Sequence, residues 1–310
     1  MENWDLIIIG AGPAGLTAGI YAGRSRLKTL ILEEKTPGGE AAVAPWIENY
    51  PGFESISGLE LIEKMTKHCE RFGAQINGLE KVVSLDLKGE EKLVKTDKNA
   101  YSASAVIIAT GTHNRLLNVL GEEKFQGRGV SYCALCDGAF FKGKKVIVVG
   151  GGNSAAMSAR YLSNIAANVK LVHRKDQLRT EEACIETLKK QNVEFLWNSK
   201  VKEVKGDGVV KSVILQHNKT GEVKKLEVDG VFVQIGEIPN TNFVKNAGVA
   251  VDKDGYIIVD ARQRTNVQGV FAAGDVTNGP VKQIGTAVGQ AIVTATEAFG
   301  YIKRPYYYKD

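Results

Sequence analysis

Cysteine is scarce in this chain, four in 310 residues, too few to staple a small secreted scaffold. No leader-like segment precedes the first apolar run: Met1-Glu2-Asn3-Trp4 opens almost directly into it, so a cytoplasmic location is expected. Long runs of one charge are missing too. The net charge of +5 is spread over short groups such as Lys142-Gly143-Lys144-Lys145 and Lys224-Lys225, which suits a solvated surface better than a nucleic-acid footprint. Nor is there an uninterrupted apolar span. The one stretch that rises in hydropathy, residues 6–23, is broken by a Gly-x-Gly-Pro-x-Gly turn and splits into a buried strand and a helix.

Glycine, by contrast, is plentiful, at 34 residues, which points to tight turns against phosphates or packed helices. The length allows two domains, each with its own core. The apolar run Asp5-Leu6-Ile7-Ile8-Ile9 reads as a strand buried on both faces of a parallel sheet. It leads into Gly10-Ala11-Gly12-Pro13-Ala14-Gly15 and a helical stretch through Thr17, Ile20 and Tyr21. The first glycine permits a sharp turn, the second lets backbone approach a pyrophosphate, and the third lets helix pack on strand. The next strand, Thr29-Leu30-Ile31-Leu32, ends in Glu33, where a carboxylate accepts hydrogen bonds from a ribose. Strand, glycines, helix, strand and acid fall in order, so the motif is more than a lone glycine pattern. The loop from Pro37 to Gly52 and the strand Ala105-Val106-Ile107-Ile108-Ala109, ending in Thr110-Gly111, complete the first half of a nucleotide domain.

The pattern repeats downstream. Lys145-Val146-Ile147-Val148-Val149 runs into Gly150-Gly151-Gly152-Asn153-Ser154-Ala155, and Val169-Lys170-Leu171-Val172 is the following strand. No acid ends that strand. His173, Arg174 and Lys175 do, with Arg179 beyond, and such cations pair with a 2′-phosphate that an acid would repel. The first site therefore suits FAD and the second NADPH. Between the two motifs lies Cys133-Ala134-Leu135-Cys136-Asp137-Gly138. A Cys-x-x-Cys pair close to βαβ units reads as a two-electron redox centre, with half of a zinc knuckle as the alternative; Cys69 and Cys184 stand alone in helix-like segments and supply no further ligands. Later, Val231–Ile235 reads as a strand, and Val270-Phe271-Ala272-Ala273 as another that ends in Gly274-Asp275, beside a flavin's sugar-alcohol chain. The last helix starts near Gln283, its N-terminal amides toward the flavin ring, and the tail at residues 306–310 is given no role.

These motifs together resemble the low-molecular-weight thioredoxin reductases of bacteria and archaea over nearly the whole chain. The resemblance rests on Gly10–Gly15, Gly38-Gly39, Glu48-Asn49-Tyr50-Pro51-Gly52, Ala109-Thr110-Gly111, the cysteine motif, Gly150-Gly151-Gly152-Asn153, His173-Arg174-Lys175 and Gly274-Asp275. It implies an α/β fold of two Rossmann-like dinucleotide-binding domains with parallel sheets, the NADPH domain inserted into the FAD domain. Residues 1–115 and 245–310 would form the FAD domain, and residues 116–244 the NADPH domain carrying the cysteines. FAD would be held by Gly10, Gly12, Pro13, Ala14, Gly15, Glu33, Gly39, Glu40, Asn49, Thr110, Gly111, Gly274, Asp275, Gln283 and Ile284. NADPH would be held by Gly150, Gly152, Asn153, Ser154, His173, Arg174, Lys175 and Arg179. The resemblance also implies a homodimer whose partner is thioredoxin or a thioredoxin-like or glutaredoxin-like small protein, with no membrane or nucleic-acid role and no metal. Cys136 would lie nearer the flavin, Cys133 would attack the partner's disulfide, and Asp137 would carry the proton. Domain rotation would use hinges near residues 116–120 and 241–244.

Three positions depart from the family's pattern. Glu40 replaces a usual Gln, which is expected to lower the flavin potential, and Leu135 replaces a usual Thr. Ala156-Met157-Ser158 stands where NADPH users commonly carry acids, while the basic cluster is kept. NADPH is therefore the expected donor, with ferredoxin or a reduced deazaflavin as the alternative donor, and dithiol oxidation as an alternative reaction of the same architecture.

Overall fold

The computed structural model of the chain describes residues 2–44 and 46–304; the tail at residues 306–310 lies outside them. In chain order the strands are β1 (Glu2–Ile9), β2 (Thr29–Leu32), β3 (Gln75–Asn77), β4 (Val82–Asp86), β5 (Lys92–Thr96), β6 (Ala100–Ile108), β7 (Thr112–Asn114), β8 (Val130–Ser131), β9 (Lys145–Gly150), β10 (Asn168–Val172), β11 (Glu194–Leu196), β12 (Ser199–Asp207), β13 (Val209–His217), β14 (Val223–Glu227), β15 (Gly230–Gln234), β16 (Glu237–Pro239) and β17 (Val270–Ala272). The α-helices are α1 (Pro13–Arg24), α2 (Gly39–Ala42), α3 (Gly58–Arg71), α4 (Ala134–Asp137), α5 (Asn153–Ser163), α6 (Glu182–Lys190), α7 (Asn242–Lys245) and α8 (Ile284–Lys303). The chain divides into two compact units, residues 1–113 with 238–310, and residues 114–237. Val244, which the sequence reading leaves in the middle segment, packs in a core of the first unit.

The first unit is built on a sheet ordered β3-β2-β1-β6-β5-β4, with β17 also paired to β6. The β3, β2, β1, β6 and β17 pairings are parallel, and β4 and β5 add an antiparallel edge. Alternation along β1 sends Leu6 and Ile8 to the face covered by α1, α3 and α8. Ile7 and Ile9 point to the other face, with Val249, Ile257 and Val276. Burying each such side chain contributes roughly 1.5–3 kcal/mol, which is why the run admits no polar residue between Leu6 and Ile9.

Helix α1 starts where Gly12 is extended and Pro13 takes the first helical position, whose N–H has no intrahelical partner in any case. Its buried face is small, and Gly19 lets it close on Cys69 and Ile31, where a Cβ would collide. Helix α3 is capped by Ser57, whose hydroxyl accepts the Glu60 N–H at 3.2 Å, and it buries Leu61, Ile62, Met65 and Cys69 at helical spacing. Helix α8 presents Ala287, Ala291, Ala295 and Ala298, so it packs close on α1.

The second unit repeats the plan with a parallel sheet ordered β11-β10-β9-β15-β8 and an antiparallel sheet β12-β13-β14. Helix α5 covers β9 and β10 through Ala155, Ala156, Ala159 and Leu162. No helix among the described residues is long and apolar enough to cross a membrane.

Candidate functional site

The glycines of the first turn serve three different physical needs. Gly10 has φ +105°, and a Cβ on it would run into the Ala109 carbonyl. A Cβ on Gly15 would collide with the Gly10 carbonyl, so this glycine lets α1 sit on the turn. Gly12 differs: its φ is −78°, and the nearest atom to a Cβ there would be the Gly38 carbonyl oxygen at 4.0 Å. That open space at the start of α1 leaves room for a phosphate. Glu33 ends β2 beside it, one carboxylate oxygen accepting the Ala11 N–H at 2.8 Å and the other the Lys35 N–H at 3.0 Å.

Gly274 closes on the same place. A Cβ on it would lie 3.0 Å from that of Ala14, its φ is +81°, and its N–H donates to Gln290 Oε1 at 2.7 Å. Asp275 follows it, half-buried. The side chain of Asn49 donates to that of Gln283 at 3.0 Å, just before Ile284 opens α8. Thr110 donates to the Asn240 carbonyl at 2.9 Å and precedes Gly111, whose φ is +61°. Gly39 and the exposed Glu40 open the short α2. The residues present thus fit a dinucleotide that carries a flavin: an open phosphate cradle, a strand-end carboxylate, and a second acid at the end of β17.

The second unit carries the other glycine turn. A Cβ on Gly150 would strike the Gln234 carbonyl, and one on Gly151 would strike the ring of His173. Gly152, with φ −106°, has nothing near and leaves room at the start of α5, where Asn153 and Ser154 follow, both exposed. His173 is buried and packed on the turn; burial, then the charges of Arg174, Arg179 and Lys175, push its pKa down, so the ring is neutral at pH 7. Its Nε2 has no hydrogen-bond partner. The Arg179 N–H donates to the Gly151 carbonyl at 2.7 Å, which folds the basic loop back onto the turn. Arg174, Lys175 and Arg179 are exposed and form no ion pair among the described residues, whereas the neighbouring Asp176 is held by Lys219 at 3.1 Å. An open glycine turn rimmed by three available cations fits a nicotinamide dinucleotide bearing a 2′-phosphate.

The same unit carries the cysteines. Cys133 and Cys136 are joined in a disulfide, with Cα atoms 5.3 Å apart, so their sulfurs bond each other rather than standing as metal ligands. The Cys136 N–H donates to Cys133 Sγ at 3.1 Å. Burial raises the Asp137 pKa above the usual carboxylate range, and a hydrogen bond from Ser131 partly offsets it. Leu135, between the cysteines, is 58% exposed.

Three supporting residues escape a reading of motifs. Ser131 Oγ donates to Asp137 Oδ2 at 2.6 Å and accepts the Cys133 N–H at 3.1 Å. Its one signal is a serine two residues before a cysteine, the spacing of a side-chain turn. Glu122 is buried and accepts from the Leu117 and Asn118 N–H groups and from Tyr132 Oη, all within 2.9 Å. Gln290 has no local signal at all.

Residues 4–291 match the pyridine nucleotide-disulphide oxidoreductase family. The chain is 44% identical over 302 residues to the thioredoxin reductase of Bacillus subtilis (strain 168), covering 97% of this chain and 95% of that one. Among solved structures it is similar to the thioredoxin reductase of Streptococcus pyogenes MGAS5005, with TM-score 0.93, 42% identity and 98% and 99% of the two chains covered. It is also similar to a ferredoxin-flavin thioredoxin reductase from Clostridium acetobutylicum, with TM-score 0.54, 35% identity and 98% and 100% covered. A redox disulfide on one compact unit, a dinucleotide turn on each, and near-full-length identity agree: the chain belongs to the pyridine nucleotide-disulphide oxidoreductase family, among its low-molecular-weight thioredoxin reductases.

Proposed function

We propose that the protein is a cytoplasmic, homodimeric, NADPH-dependent flavoenzyme that reduces the disulfide of thioredoxin or a thioredoxin-like small protein. The observation that carries this reading is the Cys133–Cys136 disulfide beside a carboxyl whose pKa burial raises, on the unit that also holds the cation-rimmed glycine turn. FAD, when bound by the first unit, supplies to this disulfide the two electrons that a nicotinamide delivers.

Once the pair is a dithiol, the Cys133 thiolate attacks one sulfur of the partner's disulfide and forms a mixed disulfide. The partner's other sulfur leaves with the electron pair and takes a proton from Asp137. Cys136 then gives its proton to the ionised Asp137, and its thiolate attacks Cys133 Sγ; the intramolecular bond reforms, and the partner's second sulfur leaves with the electron pair and takes a proton from water, which releases the partner as a dithiol. A carboxyl with a raised pKa is suited to this work, because it holds a proton at a pH where an ordinary Asp does not.

One observation favours a second reading, in which the donor is ferredoxin. The first turn of α5 carries no acid, and Met157, which follows it, is 68% exposed. Anaerobic mixing of the yellow protein with NADPH, NADH or reduced ferredoxin tests both. Bleaching by NADPH alone supports the first reading; bleaching by ferredoxin alone overturns it in favour of the second.

A further inference from the structure

Asp137 must be stable with and without its proton, and it is half-buried, so each state needs its own hydrogen-bond partner. Ser131 stands at the end of β8, 5% exposed, with three polar atoms around one hydroxyl oxygen. It lies 2.6 Å from Asp137 Oδ2, 3.1 Å from the Cys133 nitrogen and 3.3 Å from the Cys133 carbonyl oxygen. A hydroxyl has one proton to give and two lone pairs to receive with.

We propose that Ser131 is a positioning residue whose hydroxyl turns between Asp137 and the Cys133 carbonyl, so that the carboxyl is held in place in both of its protonation states. This rests on the reading of Asp137 as the group that protonates the departing thiolate. When Asp137 is ionised, the Ser131 O–H points at Oδ2 and its oxygen receives the Cys133 N–H. When Asp137 carries the proton, the carboxyl O–H donates to Ser131 Oγ, and the Ser131 O–H turns to the Cys133 carbonyl. The Cys133 N–H is satisfied throughout. Proton transfer from Asp137 therefore costs one hydroxyl rotation, without movement of the backbone that carries the attacking sulfur.

The neighbouring groups leave this role to Ser131. Helix α4 packs against α5 and the turn Gly138–Phe141. Their charged or titratable side chains are Arg160, which is exposed, and Tyr161, whose ring lies against Gly138. Tyr132, next to Ser131, gives its hydroxyl to Glu122. Burial and the Ser131 hydroxyl are the two influences that displace the Asp137 carboxyl from its ordinary value. The hydroxyl favours the ionised form more than the neutral one, because a hydrogen bond to a charge is the stronger.

The test titrates Asp137 directly, by the infrared carbonyl band of the protonated acid, assigned by its loss in Asp137→Asn. Ser131→Ala and Ser131→Val remove the hydroxyl, and Ser131→Thr keeps it. The expected result is a midpoint raised by about one pH unit in either hydroxyl-free variant, the size of one charge-assisted hydrogen bond, and restored in Ser131→Thr. In single turnovers of dithiothreitol-reduced protein with oxidised thioredoxin, the pH limb assigned to Asp137 should move by the same amount. A midpoint unchanged in both hydroxyl-free variants overturns the proposal, as does a shift that Ser131→Thr fails to restore. If the wild type reduces no thioredoxin yet the midpoint shifts as stated, the substrate reading fails and the positioning role stands.

Discussion

Replacing Gly12 by alanine separates the fold from the cofactor more sharply than any cysteine change. In most phosphate-binding turns a glycine is needed by the backbone itself, so its loss unfolds the turn and says little about the ligand. Here Gly12 has φ −78°, a value open to any residue, and the added methyl would meet nothing closer than the Gly38 oxygen at 4.0 Å. The apoprotein should therefore melt as the wild type does or higher, since alanine in a compatible conformation adds about 0.4–1 kcal/mol through the unfolded chain. The methyl fills the space where a pyrophosphate belongs, so FAD affinity should drop by at least about 100-fold, roughly 2.7 kcal/mol. The stabilisation by FAD, about 2.7 kcal/mol at 100 times the wild-type dissociation constant, should then fall to about 0.4 kcal/mol or less in the variant at the same FAD concentration. Calorimetric titration of deflavinated protein, with melts in the presence and absence of FAD, reads both quantities. Gly10→Ala is the control: with φ +105° and the Ala109 carbonyl in the way, it should lower the melting temperature with no ligand present. Wild-type FAD affinity in Gly12→Ala would refute the phosphate cradle.

Three further outcomes follow from other parts of the molecule. Arg174→Ala and Arg179→Ala should each raise the KM for NADPH about 10- to 100-fold while leaving that for NADH unchanged, the loss of a charge-assisted contact to the 2′-phosphate; equal effects on both nucleotides would place the phosphate elsewhere. Glu80 accepts from Thr96, Tyr101, Asn99 and Asn77; burial raises its pKa, but these four bonds outweigh it and hold the carboxylate below its usual range. Glu80→Ala should cost about 2–4 kcal/mol in urea unfolding of the first unit. Because the folded pKa is depressed, that contribution is complete above the ordinary value of 4.5 and fades as pH falls through the folded value; a difference between wild type and variant that grows on acidification would contradict it. Burial, then the charge of Glu70, pushes the Cys69 thiol up to about 12, so iodoacetamide at pH 8 should modify Cys184 in the native oxidised protein and leave Cys69 intact until unfolding.

Much of this architecture is legible before any coordinates. The strand starting near Asp5 is a run of apolar residues that only a doubly covered parallel strand accommodates, and β2, β6 and β9 are found the same way. Glu33 and the first glycine turn are readable because a phosphate fixes the spacing of everything around it. In the second turn the pattern puts the phosphate approach at Gly152, which is the open position, but it gives no reason for Gly151, which the ring of His173 packed upon it requires. Periodicity does not encode which neighbour fills which space. The same limit hides Gln290, whose partner is set by where α8 lands, and the bond from Ser131 to Asp137, for the one local sign at Ser131 is its spacing from Cys133. The antiparallel sheet β12-β13-β14 was also invisible as a unit, since its Lys- and Glu-rich strands bury one thin face made by Val201, Val204, Val213 and Leu215.

The central claim is that electrons leave the protein through Cys133. Its most direct test is Cys133→Ser, with anaerobic bleaching of the flavin by the physiological donor and reduction of thioredoxin followed in the same cuvette. Bleaching at the wild-type rate with no thioredoxin reduced is the predicted result. Thioredoxin reduced at the wild-type rate by that variant would contradict the account.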